Sequence, residues 1–189
     1  MSNQEKIESI LIDTKRDGIE SVVGWLRTTD FYTAPASTKF HGNFKGGLAE
    51  HSLSVYKRLQ QVCKDFNIIP PDKSSIAVCA LLHDVCKIGF YTQSTRNVKD
   101  EITGQWEKKP FYLVNEQFAF GGHGSKSVYL VQYFLPLHPE EAVAINCHMG
   151  AWDESDYSNV GQAYSQNPFA WALHVADEAS TYLDERIKL

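Results

Sequence analysis

Apolar residues recur at helical spacing along most of this chain, and the breaks in that rhythm mark where elements start and stop. From about Gln4 to Leu26 the inward positions are Ile7, Ile10, Leu11, Ile19, Val22 and Leu26, which predicts an amphipathic stretch interrupted near Gly18. A loop rich in Thr, Pro and Ser follows at Thr33 to Thr38. From Leu48 to Phe66 a helix carries Leu48, His51, Val55, Leu59, Val62 and Phe66 on one stripe, so a histidine points inward. Pro71-Asp72 signals the next start and Gly89 the stop, with Ile76, Cys79, Ala80 and His83 on one face. That places His83-Asp84 in the last turns of a buried helix.

The rhythm fails between Phe90 and Phe118. β-formers and the turn pair Thr103-Gly104 predict a β-hairpin or an irregular lid there. Helices resume at about Gly124 to Phe134, ahead of Pro136, and again at Pro139 to His148, where Glu140 and Glu141 suit the first turn. Asn167-Pro168 supplies a cap and a first-turn pair for the last helix, with Leu173, Asp177, Ser180 and Asp184 on a stripe beside Phe169, Ala176 and Leu183. The fold class is therefore all-α, a helical bundle with a small hairpin or lid insertion. A length of 189 residues fits one domain: helices over residues 1–30, a helical core over 31–187, and the lid at 90–118 within it.

Composition narrows the function. A formal net charge of -5 gives no basic footprint of the kind dedicated nucleic-acid binders show. No apolar run approaches the roughly 18 residues of a membrane span, and the polar start is unlike a signal peptide, so a cytoplasmic, soluble protein is expected. Cys63, Cys79, Cys86 and Cys147 lack C-x-x-C spacing and lie among apolar residues; they are read as reduced core residues.

The chemistry lies in the inward polar residues: His51, His83, Asp84, His123, His148 and Asp177, from five helical segments. One histidine on an apolar face is usually a hydrogen-bonded core residue. Two buried carboxylates among four such histidines are most simply reconciled by metal coordination, since an unpaired buried carboxylate shifts its pKa or destabilises the fold.

The order His, His-Asp, His, His, Asp resembles the HD-domain metal-dependent phosphohydrolases. The resemblance rests on Gly46-Gly47-Leu48-Ala49-Glu50-His51-Ser52-Leu53, Leu81-Leu82-His83-Asp84-Val85-Cys86-Lys87, Gly122-His123-Gly124, His148 and Ala176-Asp177, and runs from about Phe31 to Leu183. The stretch from Phe31 to His51 also resembles the HD domain of bacterial 3′-to-5′ exoribonucleases. Those place an OB-fold first, and about thirty residues before Phe31 cannot hold a five-stranded barrel. Two positions depart from the family pattern. Cys86 replaces the usual glycine and is read as packing, and His148-Met149 stands where some members have paired histidines.

The resemblance implies that His51, His83, Asp84 and Asp177 hold one divalent metal and that Asp84 bridges to a second held by His123 and His148. Iron, manganese, nickel, cobalt or zinc would suit these ligands. The implied reaction is hydrolysis of a phosphate ester of a nucleotide, a cyclic or dinucleotide, or a short single-stranded oligonucleotide by metal-activated hydroxide. Asp84, Lys87 and Lys126 are the expected catalytic residues, both lysines neutralising phosphate charge. Lys87, Lys126, Trp152 and His41 are candidate substrate contacts, although His41 lies in a polar loop where exposure is the simpler expectation. His174 is either a partner of a ligand or a packed core residue. Tyr91, Trp106 and Tyr112 are candidate base-stacking residues. The alternative reading is a catalytically inactive metal-containing nucleotide-binding or sensing module. A zinc protease or deaminase lacks its motifs.

Overall fold

The computed structural model describes residues 1–101, 103–152 and 157–185, the side chains at 152 and 157–159 excepted. The described residues include eight α-helices and one two-stranded antiparallel sheet. None of these helices is long and apolar enough to cross a membrane.

The first helix, α1 (Asn3–Asp13), starts at a capping box: the Glu5 N–H donates to the Ser2 hydroxyl, and the Ser2 N–H donates to the Glu5 carboxylate. With α2 (Ile19–Arg27) it buries Ile7, Leu11, Val22 and Leu26 against one side of α3 (Gly47–Asp65) and α4 (Ser75–Leu82). A second apolar cluster forms on the other side of the same two helices. There Val55, Leu59, Cys79 and Ala80 meet α6 (Pro139–Asn146) and α8 (Pro168–Ala179) through Ala144, Ile145, Phe169 and Leu173. Each fully buried leucine or isoleucine contributes roughly 1.5–3 kcal/mol. Because α4 is enclosed from both sides it is apolar almost all round, as its sequence SIAVCALL requires. The helix α5 (His123–Gln132) packs on α6, and α7 (Tyr157–Gln166) packs on α8.

Two close approaches fix the helices that carry histidines. A Cβ on Gly47 would meet the Gly42 carbonyl oxygen at 1.9 Å, so the loop before α3 folds back directly over its first turn. A Cβ on Gly124 would meet the Asn146 carbonyl oxygen at 2.1 Å, so the start of α5 lies against the end of α6.

Several elements differ from the sequence expectation. The α4 helix begins at Ser75 instead of Pro71-Asp72, whose carboxylate accepts the Ser74 N–H, and it ends at Leu82. His83 is its C-cap, and Asp84 opens a separate 3-10 turn, Val85–Lys87. Asn167 precedes α8 but makes no cap; its amide donates to the Glu140 carbonyl. The helix α7 had no clear periodic signal, because small polar residues dominate it and only Val160 is buried among its described side chains. After α8 the chain continues as a π-helical turn, Ser180–Asp184, which rotates Asp184 and Leu183 to the surface, where Asp184 pairs with Arg58. These two therefore do not share the buried stripe.

The interrupted region is a hairpin. Strand β1 (Tyr91–Lys99) pairs with β2 (Trp106–Val114) from Tyr91↔Val114 to Lys99↔Trp106. Both strands are exposed along most of their length and are tied down at the base, where the Tyr91 hydroxyl donates to the Ala36 carbonyl.

Candidate metal centre

His51 comes from the first turns of α3, His83 from the end of α4, Asp84 from the bend after it, His148 from just beyond α6, and Asp177 from α8. All five side chains are buried. The bend at Asp84, with φ -111 and ψ 19, turns its carboxylate back beside His83.

Each imidazole is held by Nδ1. His51 Nδ1 lies 3.0 Å from Glu185 Oε1, His83 Nδ1 2.9 Å from the Ala80 carbonyl, and His148 Nδ1 2.7 Å from the Ile145 carbonyl. With Nδ1 donating, each ring presents its Nε2 lone pair inward once that nitrogen gives up its proton, the tautomer a metal requires. All three Nε2 atoms are buried and make no hydrogen bond. They converge on two carboxylates. Asp84 Oδ2 lies 3.7 Å from His51 Nε2 and 3.5 Å from His83 Nε2, and Asp177 Oδ1 lies 3.1 Å and 4.0 Å from the same atoms. Asp84 Oδ1 faces the other way, 3.6 Å from His148 Nε2. Donors about 2.0–2.2 Å from one ion sit roughly 3–3.5 Å apart, close to these spacings. Orphaned buried nitrogens facing carboxylates fit a divalent cation, which would supply the missing partner for each.

Protonation tells the same story. Burial pulls the His51 imidazole down, but Asp177 and Glu185 outweigh it and lift it to about 9. Burial pulls His148 down as well, and Asp84 outweighs it in the upward direction. His83, with burial dominant, falls to about 4. Burial would raise Asp84 and Asp177, yet Lys87 and the imidazoles hold the first well below the carboxylate range and His51 leads in lowering the second. These carboxylates thus call for positive charge beside them, which Lys87 supplies in part and which a divalent cation would supply in place of the ring protons.

Lys87 reaches Asp84 directly, Nζ to Oδ2 at 2.6 Å. Lys126 is also buried, but its Nζ is 2.8 Å from Glu116 Oε1 and faces the rings of Phe90 and Phe118. Both lysines expected to meet phosphate are therefore engaged by carboxylates. His123 stands apart from His51, His83 and Asp177 but within 4.8 Å of ligand atoms on Asp84 and Cys86. A cleft of about 440 Å³ opens onto the cluster, lined by His41, Lys87, Tyr91, His123 and Asp177 among others.

His41 is not the exposed loop residue that the sequence favoured. Its ring centroid is 4.8 Å from that of His51, and neither ring nitrogen has a hydrogen-bond partner. Burial, then His51 and Lys87, lower it to about 4 and keep it neutral. His174 packs behind His148: its Nδ1 donates to the His148 carbonyl at 2.7 Å, and its ring stacks on Tyr164. Tyr91 lines the cleft, Trp106 is exposed at the far end of the hairpin, and Tyr112 lines a second cleft beside Lys39 and Arg96. Trp152 ends a 3-10 turn, Gly150–Trp152, and its side chain lies outside the described residues.

Sequence reasoning missed Glu185 and Glu116, and Cys86, read from the sequence as packing, lies with its sulfur within 4.8 Å of ligand atoms on Asp84 and His123. No sequence signal marks the first, because a π-helical turn, with the Glu185 N–H donating to the Ser180 carbonyl, brings it under His51. Cys86 had one signal, its place two residues after Asp84 where the family pattern has glycine.

A search among curated proteins and among solved structures returned no match. The family model described as HD domain matches residues 48–182, a span that begins three residues before His51 and ends five after Asp177. Matched over more than two thirds of its length and carrying the ordered His, His-Asp, His, His, Asp set, all but His123 in one buried cluster, the chain belongs to the HD domain family.

Proposed function

We propose that this single-domain chain is a metal-dependent phosphohydrolase that cleaves a phosphate ester of a small nucleotide. HD domains bind divalent metals and are generally hydrolytic. The observation that carries the reading is the convergence of three buried, unpartnered Nε2 atoms, of His51, His83 and His148, on Asp84 and Asp177 beside an open cleft. A structural metal site is closed by its protein ligands, whereas this cluster borders a cleft wide enough for substrate.

His51, His83, Asp84 and Asp177 would hold one divalent ion, and His123 and His148 would join Asp84 at a second. Bound metal supplies an activated water and a Lewis acid for the phosphoryl oxygens. The chain orients the ester. Lys87, on the cleft wall, places an ammonium beside the phosphate oxygens. Neutral His41, with two unpartnered nitrogens, donates an N–H to the substrate without adding charge. Lys126 joins when an anionic substrate competes with Glu116 for its ammonium. Small nucleotides are favoured over long polymers because the net charge of -5 gives the polymer backbone little to bind.

The test is elemental analysis of protein purified without chelator, followed by hydrolysis of bis(p-nitrophenyl) phosphate and a panel of nucleotides with added manganese. Bound metal with turnover supports the proposal. Bound metal with no turnover on any substrate leaves a nucleotide-binding or sensing module, and no metal refutes both readings.

A further inference from the structure

The oxygen of Asp84 that faces away from His51 and His83 has a neighbour that the proposed function does not use. Cys86 sits in the 3-10 turn two residues on, 2% exposed, with Sγ 3.8 Å from Asp84 Oδ1. The same Oδ1 lies 3.6 Å from His148 Nε2, a fully buried nitrogen with no hydrogen-bond partner. A ring nitrogen of His123 comes within 4.8 Å of both the Asp84 carboxylate and Cys86 Sγ.

We propose that Cys86 is a thiolate ligand of the second metal ion, which it would hold together with His123 and Asp84 Oδ1. The proposal rests on the metal-dependent reading above and goes beyond it, since the family pattern has a glycine at this position and no sulfur.

The plainer reading of Cys86 is a small apolar residue, as suits Cys63 and Cys79, both packed into the apolar cluster around Leu59 and Leu173. Cys86 differs in its surroundings: its sulfur faces the Asp84 carboxylate and lies near the His123 imidazole. Sulfur about 2.3 Å and oxygen about 2.0 Å from one ion are roughly 3.5 Å apart at tetrahedral angles, near the spacing seen. Binding exchanges the S–H bond for a sulfur–metal bond, and the thiol proton leaves to solvent. A coordinated thiol does not keep its proton beside a divalent cation. Thiolate ligation also sets preference, favouring zinc, cobalt or iron over manganese and magnesium at this position.

Cobalt(II) reads the ligand directly, because sulfur-to-cobalt charge transfer gives a strong near-ultraviolet band that nitrogen and oxygen ligands do not. The full chain, stripped of metal, is titrated with cobalt(II) while bound cobalt is counted by elemental analysis. The band should grow with the second equivalent, vanish in Cys86→Ser, and persist in Cys79→Ser. Cys86→Ala, checked for native circular dichroism, guards against a misfolded serine variant and should lose the band too. Two equivalents of bound cobalt without the band overturn the Cys86 assignment and leave the metal centre standing, as does a band that survives in both Cys86 variants. Failure to bind cobalt at all overturns the metal centre, and this proposal with it.

Discussion

Glu185→Ala should weaken metal binding about 10–100-fold without touching any proposed ligand, the usual cost of deleting the partner that orients a ligating histidine. In energy this is roughly 1.4–2.7 kcal/mol. The Glu185 carboxylate accepts from His51 Nδ1 at 3.0 Å and from the Ser180 hydroxyl at 2.8 Å. It is largely buried, so water does not simply replace it. Its loss frees the ring to rotate or to move its proton to Nε2, and either change removes the lone pair from the cluster. Glu185→Gln retains an acceptor oxygen and should recover most of the affinity. The assay is competition between the full chain and a chelator of known affinity. It should be run above pH 9, because His51 is lifted to about 9 and below that value the variant also relieves proton competition. An unchanged affinity in a folded Glu185→Ala protein, beside a His51→Ala control that loses metal, would refute the claim that this contact sets the tautomer. Unchanged affinity in both variants would remove His51 from the ligand set.

Asp84→Ala should abolish metal content and hydrolysis together, whereas Lys87→Ala should lower turnover and leave metal content intact; retained metal and full activity in the Asp84 variant would contradict the site. Glu141 is buried and receives two bonds from Arg16, one from Ser75 and one from the His138 N–H, so Glu141→Ala should cost about 3–5 kcal/mol, or ~6–20 °C in Tm. Burial raises this carboxyl but Arg16 and the other donors win and hold it below 4.5. Its stabilising effect is thus complete above 4.5, is lost as pH falls through the lower folded value, and should be missing from the acid limb of the variant's stability curve. Shortening the hairpin by removing residues 97–108 should change substrate preference more than thermal stability, because those strand positions are largely exposed; a failure to fold would show the hairpin to be structural.

Periodicity alone determined that this chain is helical and which face of each long helix turns inward, since apolar residues at helical spacing have one way to leave water. It also fixed that His51, His83, Asp84, His148 and Asp177 are buried, because each sits among apolar neighbours whose burial carries it along. The interruption from Phe90 to Phe118 was legible as a break, as β-formers and a turn pair cannot join a helical stripe, but poor alternation left a hairpin and an irregular lid both open until the strands paired. What the sequence could not state is which atoms meet. The split of Asp84 into two oxygens facing different partners follows from a bend after α4. Glu185 comes under His51 only through the π-helical turn, since an unbroken α-helix would rotate that residue elsewhere. His41, polar and in a loop, lies beside His51 because Gly47 lets the backbone at Gly42 fold against α3. Cys86 comes beside the Asp84 carboxylate and the His123 imidazole by the tightness of a 3-10 turn and by the contact between α5 and α6. Burial is a property of local pattern, but coordination is a property of distances between segments, and those distances exist only once the helices have packed.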